Sequence, residues 1–178
     1  MEMTVKEIAE DFGGRLLCGN ENTVVTSVST DSRKISAGAL VVPIKGERTD
    51  AHIYIDAVFA AGAAATLTQN DTKKIDVHPW IFVPDTGIAL QQIAAAYRSK
   101  FDIPVIGITG SVGKTTTKEM VALALSSSYC VMKTEGNQNS QVGLPLTLFR
   151  LEETHEAAVI EMGMSDFGEM SRLCSMAR

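Results

Sequence analysis

Apolar residues recur along this chain at two spacings, and the switches between them mark out short strands alternating with helices. Near the start, Val5, Ile8, Ala9 and Phe12 fall on one helical face. Thr4 with Glu7 three positions later makes a capping box, and Gly13-Gly14 ends the segment. Residues 23–29 and 39–44 read as strands. A helix over about 51–61 is predicted to bury Ile53, Ala57 and Val58 and to stop at Gly62. Residues 64–68 and 80–83 then read as strands closing a small α/β unit. Pro84-Asp85-Thr86-Gly87, a turn-forming cluster between two apolar segments, marks the predicted boundary between domains at 1–84 and 85–178.

Beyond the boundary, Leu90, Ile93, Ala94, Tyr97 and Phe101 have the spacing of one buried helix face. A β-branched strand follows at Ile103-Pro104-Val105-Ile106, then a helix over 118–126 and a strand over 129–133. A helix is expected within 142–150, where Pro145 suits the first turn, then a strand over 157–162 and an amphipathic segment over 167–178. Strands alternating with helices imply a mainly parallel sheet covered on both faces. The predicted fold class is α/β.

Composition narrows the partners without adding chemistry. With 45% hydrophobic and 21% charged residues, the 178-residue chain reads as an ordinary globular protein. A net charge of −5 and the lack of a basic run argue against nucleic acid as the main partner. Cys18, Cys130 and Cys174 are odd in number and lack C-x-x-C spacing, which suits buried or incidental thiols of a reducing compartment. The histidines make no zinc pattern, no apolar run reaches spanning length, and residues 1–6 begin no signal peptide. A cytoplasmic protein without membrane insertion is expected; oligomeric state is not legible.

The chemistry concentrates in Gly107-Ile108-Thr109-Gly110-Ser111-Val112-Gly113-Lys114-Thr115-Thr116-Thr117. Strand, glycine-rich turn, Lys-Thr and helix together bind a nucleoside triphosphate by its phosphates. The glycines let successive N–H groups aim at the anion, and the helix N-terminus adds its positive dipole end. Gly110, Ser111, Val112, Gly113, Lys114, Thr115 and Thr116 would cradle the phosphates, with Lys114 on β and γ and the Thr115 hydroxyl on Mg²⁺. Ile108 stands where the usual pattern has glycine, so the spacing is that of a particular subfamily. A glycine-rich turn with a surface lysine is the plain alternative. Lys118 and Glu119, further along, read as solvated surface residues.

Ala157-Ala158-Val159-Ile160-Glu161 delivers a carboxylate at the C-terminal end of an apolar strand. Ligands of open α/β sheets gather at that end, and Mg²⁺ takes such oxygen donors. Glu161 is therefore paired with Thr115 as a metal site and with Lys114 and Thr115 as the catalytic set. An acid that merely ends a strand against solvent is the alternative. Gly163 permits close approach of backbone or ligand.

Read in order, these motifs resemble the Mur ligase family. Its phosphate loop, T-G-x-x-G-K-T/S, matches Thr109 to Thr115. Thr30-Asp31-Ser32-Arg33 resembles its D-S-R segment, and the run from Lys45 to His52 its K-G-x-x-x-D-G-H segment, with Ala51 in place of glycine. The run from Gly136 to Thr147 resembles its G-N-x-N segment, with Gln141 in place of an acid, and Glu161-Met162-Gly163-Met164 its E-M/L-G-A segment. Among the family's members the combination is most similar to those that join D-alanyl-D-alanine to UDP-N-acetylmuramoyl-tripeptide.

The resemblance implies a UDP-substrate domain followed by the first part of an ATPase domain, a fragment expected to be inactive alone. It implies ATP and Mg²⁺ as cofactors and amide-bond synthesis through an acyl phosphate in peptidoglycan precursor formation. It also implies substrate contacts at Thr30, Asp31, Ser32, Arg33, Gly46, Glu47, Arg48, Asn137 and Asn139. By residue chemistry alone, 29–33 reads first as a strand-end turn with Asp31 accepting local backbone bonds and Arg33 pairing on the surface, and the asparagines equally cap the next helix. A nucleotide-binding module without turnover, or an unrelated phosphate-loop kinase or NTPase, are the other readings.

Overall fold

The computed structural model describes residues 2–46, 50–72 and 76–178. Its backbone divides into two compact units, Met1–Ile93 and Ala94–Arg178.

In the first unit, β1 (Met3–Thr4) leads into α1 (Val5–Asp11). The capping box forms as predicted: the Glu7 N–H donates to Thr4 Oγ1 at 3.2 Å, and the Thr4 N–H donates to Glu7 at 2.6 Å. Then come β2 (Arg15–Cys18), β3 (Val24–Val25), β4 (Ser27–Ser29) and β5 (Ala39–Val41). A 3-10 turn (Ala51–Tyr54) runs into α2 (Ile55–Ala60), followed by β6 (Ala65–Thr68) and β7 (Trp80–Phe82). The sheet has the order β2-β7-β6-β5-β4 and is parallel except for β2, which runs antiparallel to β7. The central strands β5 and β6 are buried at every position, as parallel strands covered on both faces must be. Thr66 accommodates its hydroxyl there by donating to the Leu67 carbonyl at 2.9 Å.

Several sequence expectations shift here. Residues 23–29 are not one strand: β3 pairs with β1, and β4 pairs with β5. The strand β2 was not predicted at all. The helix over 51–61 buries Val58 as expected but not Ile53 or Ala57; Ile53 is 70% exposed, and Ile55 and Phe59 join Val58 in the core. The first turn is a tighter 3-10 turn with a three-residue period, so Ile53 within it does not take the position that an α-helical start would give it.

The helix α3 (Thr86–Arg98) opens in the first unit and ends in the second. Asp85 caps it, accepting the Ile88 N–H at 2.8 Å, so the Pro-Asp-Thr-Gly cluster is a helix start as well as a turn. The second unit continues with β8 (Val105–Ile108), α4 (Lys114–Leu125), β9 (Val131–Lys133), α5 (Gly143–Leu148), β10 (Ala157–Glu161) and α6 (Glu169–Ala177). Its sheet is wholly parallel in the order β8-β10-β9, which puts β10 in the middle, buried throughout.

Cys130 and Cys174 are exposed and Cys18 half-buried, all as free thiols. Among the described residues, no helix is long and apolar enough to cross a membrane.

Arg98 fixes the segment that feeds β8. It is 7% exposed and donates to the carbonyls of Phe101, Ile103 and Ala177, the last two at 2.9 and 3.3 Å. Arg98→Met keeps the packing and strands these carbonyls. The expected loss is on the order of 3 kcal/mol in urea unfolding followed by a probe in the second unit. A change within a few tenths of a kcal/mol would show that the carbonyls are satisfied without the guanidinium.

Candidate functional site

The phosphate loop joins β8 to α4. Gly113, with φ of 78°, is the helix N-cap in the left-handed region that glycine tolerates. The helix therefore starts at Lys114, four residues earlier than the sequence suggested, and puts Lys114 and Thr115 in its first turn. Lys114 Nζ donates to the Gly110 carbonyl at 2.8 Å, which holds the amine over the loop. Ser111, Val112 and Thr116 are exposed around it.

Glu161 reaches the same place from the end of β10, and it does not meet solvent: the residue is 2% exposed. Its Oε2 accepts the Thr115 hydroxyl at 2.9 Å, and its Oε1 accepts the Asn139 amide at 2.8 Å. Its backbone N–H donates to the Thr134 hydroxyl at 2.9 Å. Gly163 lets this happen, because a Cβ there would lie 3.2 Å from the Asn139 side chain. Lys114, Thr115, Glu161 and Asn139, drawn from three separate segments of sequence, thus converge in one unit.

The donor set fits a hard divalent cation. Thr115 and Glu161 offer oxygens held 2.9 Å apart, and a hydroxyl plus one carboxylate is what Mg²⁺ uses when phosphates and water complete its shell. Among the described residues no group of three or more His, Cys, Asp or Glu side chains gathers into an all-protein cage.

Lys118 corrects the sequence reading. Far from solvated, it is 1% exposed and donates from Nζ to the Thr134 carbonyl at 2.8 Å. The Lys133 ammonium, and after it the Lys118 ammonium, holds the Glu119 carboxyl below its ordinary range. Asn137 is exposed, and its carbonyl accepts the Asn139 N–H at 2.8 Å. Gln141, standing where an acid was expected, donates to Glu169 at 2.7 Å.

The other expected contacts lie in the first unit. After β4, Arg33 clamps Asp31 with two bonds of 2.8 Å and adds its backbone N–H at 3.0 Å. Thr30 and Ser32 flank the pair, half-buried. Gly46 is exposed, while the expectations for Glu47 and Arg48 lie outside the described residues. Nearby the sequence reading missed a polar cavity of about 470 Å³, lined by Lys45, Asp50, His52, Asp56, Gln69 and Asn70 among others. In it the His52 ring is held between Asp50 and the Gln69 N–H, which donates to Nε2 at 3.3 Å. The hint in sequence was the run from Lys45 to His52, in which Asp50 and His52 stand two positions apart.

A glycine-rich Lys-Thr loop facing a buried strand-end acid in a parallel sheet is the arrangement of phosphate-loop α/β proteins, and comparison with known proteins narrows the class. Residues 108–178 match the Mur ligase middle domain, and residues 24–98 match the domain described as Mur ligase family, catalytic domain. The chain belongs to the Mur ligase family. Relatives include the UDP-N-acetylmuramoyl-tripeptide–D-alanyl-D-alanine ligases of Bacillus subtilis and Escherichia coli. The first is 45% identical over 99% of this chain and 39% of its own length; the second is 36% identical over 100% and 38%. Among solved structures, MurF from Acinetobacter baumannii superimposes with a TM-score of 0.91 at 32% identity, over 99% of this chain and 39% of that one. MurF from Thermotoga maritima, solved in complex with ADP, gives 0.78 at 33% identity over 86% and 35%. The chain spans about two fifths of the length of the curated relatives it matches.

The Asp31 clamp sets a measurable titration. Arg33, through its side chain first and its backbone N–H second, holds the Asp31 carboxyl down to about 2 from 3.8. Side-chain NMR should give a midpoint near that lower value. Because the folded value is depressed, whatever the pair adds to stability is present above 3.8 and fades as pH falls through about 2. Arg33→Ala should return the midpoint towards 3.8; an unmoved midpoint would reject the clamp.

Proposed function

We propose that the chain is the UDP-substrate and phosphate-binding part of an ATP-dependent ligase. The reaction joins D-alanyl-D-alanine to UDP-N-acetylmuramoyl-tripeptide in peptidoglycan precursor synthesis, in the cytoplasm. The observation that carries this reading is the Thr115–Glu161 hydrogen bond across the phosphate loop, in a chain whose whole length aligns with ligases of that activity. Residues 1–84 take the UDP end of the substrate and residues 85–178 the nucleotide.

The chemistry follows from the carboxylate to be joined, which is a poor electrophile. Its oxygen attacks the γ-phosphorus of ATP, the bond from that phosphorus to the β-bridging oxygen breaks, and ADP leaves. The acyl phosphate then takes the amine of D-alanyl-D-alanine, losing phosphate as the amide forms. In this chain Lys114 and the backbone N–H groups of residues 110–116 bind and orient the phosphates. Thr115 and Glu161 would hold Mg²⁺, which when bound offsets charge on the phosphoryl oxygens. Asn139 keeps the Glu161 carboxylate turned towards Thr115. In the first unit, Thr30 to Arg33 and the 46–48 segment bind the uridine diphosphate, the Arg33 fork suiting its phosphates.

Calorimetry tests both halves on the 178-residue chain. Mg·ADP and UDP-N-acetylmuramoyl-tripeptide should each bind, and phosphate release with ATP and both substrates should stay at background. Lys114→Ala should weaken Mg·ADP at least tenfold, with the UDP ligand unaffected. Binding of Mg·ADP without any binding of the UDP ligand would favour an unrelated phosphate-loop kinase or NTPase. Clear turnover would overturn the expectation that these residues bind without catalysing.

A further inference from the structure

The helix that opens at the phosphate loop carries a lysine in its core-facing stripe. Lys118 lies one turn beyond Lys114, and Ala122, one turn further, shares the buried face. Lys118 Nζ donates to the Thr134 carbonyl at 2.8 Å, lies 3.0 Å from Glu119 Oε1 and stands 4.0 Å from Glu161 Oε2. Glu119 is half exposed and already paired with Lys133, so it is screened by solvent and shared. Glu161 is as buried as the lysine. Taking either charge out of water alone is costly, so the two buried charges require one another.

The oxygen that Lys118 approaches is the one that accepts the Thr115 hydroxyl, the oxygen assigned above to the metal. We infer that Lys118 is a positioning residue that acts as the standing counter-cation of Glu161, so that a divalent ion settles on Thr115 and Glu161 only together with nucleotide phosphates. The inference rests on the nucleotide reading of the site. Charge balance gives its logic. Glu161 and Lys118 sum to neutrality, and a lone divalent cation added beside them meets one carboxylate already matched by an ammonium a few ångströms away. Polyphosphate oxygens bring several negative charges to the same spot and reverse the balance. When nucleotide and metal depart, the buried carboxylate is still matched and keeps its place between Thr115 and Asn139.

The geometry also says why a lysine does this and a surface cation could not. The Thr134 carbonyl holds the ammonium, and the Thr134 hydroxyl accepts the Glu161 N–H, so one residue fixes the lysine and the backbone of the acid. The charge is therefore held at a set distance, with no side-chain freedom to retreat when a second cation arrives.

Mn²⁺ is the probe, its free concentration followed by electron paramagnetic resonance with the 178-residue chain, with and without ADP. The wild type should take up Mn²⁺ with ADP and hold little without it. Lys118→Gln keeps a donor for the Thr134 carbonyl but removes the charge. It should raise nucleotide-free Mn²⁺ affinity on the order of tenfold or more, a gain that Glu161→Gln in the same chain abolishes. Lys118→Arg should restore the wild-type dependence on ADP. A folded Lys118→Gln chain with unchanged nucleotide-free affinity overturns the inference and leaves the nucleotide reading standing if ADP still recruits Mn²⁺. Wild-type chain that binds Mn²⁺ equally with and without ADP overturns the inference with no variant needed. Failure of ADP to bind the wild type under any condition overturns both. Should Lys118→Gln lack a cooperative thermal melt, Lys118→Met carries the same measurement, and the wild-type comparison decides if neither folds.

Discussion

A carboxylate with 2% exposure at the end of the central strand of a parallel sheet is the constraint around which the second unit is arranged. Both of its oxygens, its backbone N–H and its charge have to be answered inside the protein, because water does not reach them. The answers come from α4 through Thr115 and Lys118, from the segment after β9 through Thr134, and from the following loop through Asn139. These partners bring the candidate site together. The loop residue that answers Oε1 lies against Gly163, and the hydroxyl that answers Oε2 follows the phosphate-loop lysine. Satisfying one buried acid thus brings together chain segments that are otherwise independent.

The first unit solves its polar problem locally. Asp31, Asp50 and Asp76 each accept the backbone N–H of the residue two positions on, and Asn20 and Asn70 do the same. These are Asx turns, which shape a loop by replacing a backbone acceptor with a side-chain oxygen. In the three aspartates the turn is doubled by the cationic or aromatic side chain of the same residue two on: Arg33, His52 or His78. Each carboxyl is held below its ordinary value, Asp31 first by the Arg33 side chain, Asp50 and Asp76 first by the backbone N–H of the histidine. Such turns fix a loop through its own side chains, which suits surfaces that present polar groups.

These contrasts explain what could be read in the sequence. The capping box, the Gly13 stop, the glycine-rich loop and the acid after Ile160 all depend on neighbours within a few residues, and all were legible. The first turn of the helix over 51–61 was not, because nothing in the string Ala51 to Tyr54 distinguishes a 3-10 start from an α start. Lys118 was misread for a related reason. Starting the helix at Lys118 placed it on an exposed end, whereas starting at Lys114 puts Lys118 and Ala122 on the inward stripe. The partner that makes a buried lysine tolerable is 43 positions away in Glu161, and no local pattern announces it. The arrangement of β2 beside β7 is non-local in the same way.

Two departures from the family's motifs, at positions 51 and 141, are answered by the same kind of physics. Glycine is usual at position 51 in this segment, yet among the described residues no side-chain-bearing residue has positive φ. Ala51 opens a 3-10 turn capped by Asp50, so the backbone does not ask for glycine's freedom there. Gln141 replaces an acid, and its amide donates to Glu169, whose other oxygen accepts the N–H groups of Ser165 and Asp166. The Ser165 N–H, then the Gln141 amide, hold the Glu169 carboxyl below its ordinary value, so it is the ionised form that gathers these donors. An acid at 141 would set two carboxylates against each other at that distance; the amide turns the repulsion into a bond. The bond joins the asparagine loop to the start of α6, a few residues past Glu161. A change of one residue in the motif therefore alters what holds the loop, while the atoms facing Thr115 and the phosphate loop keep their partners.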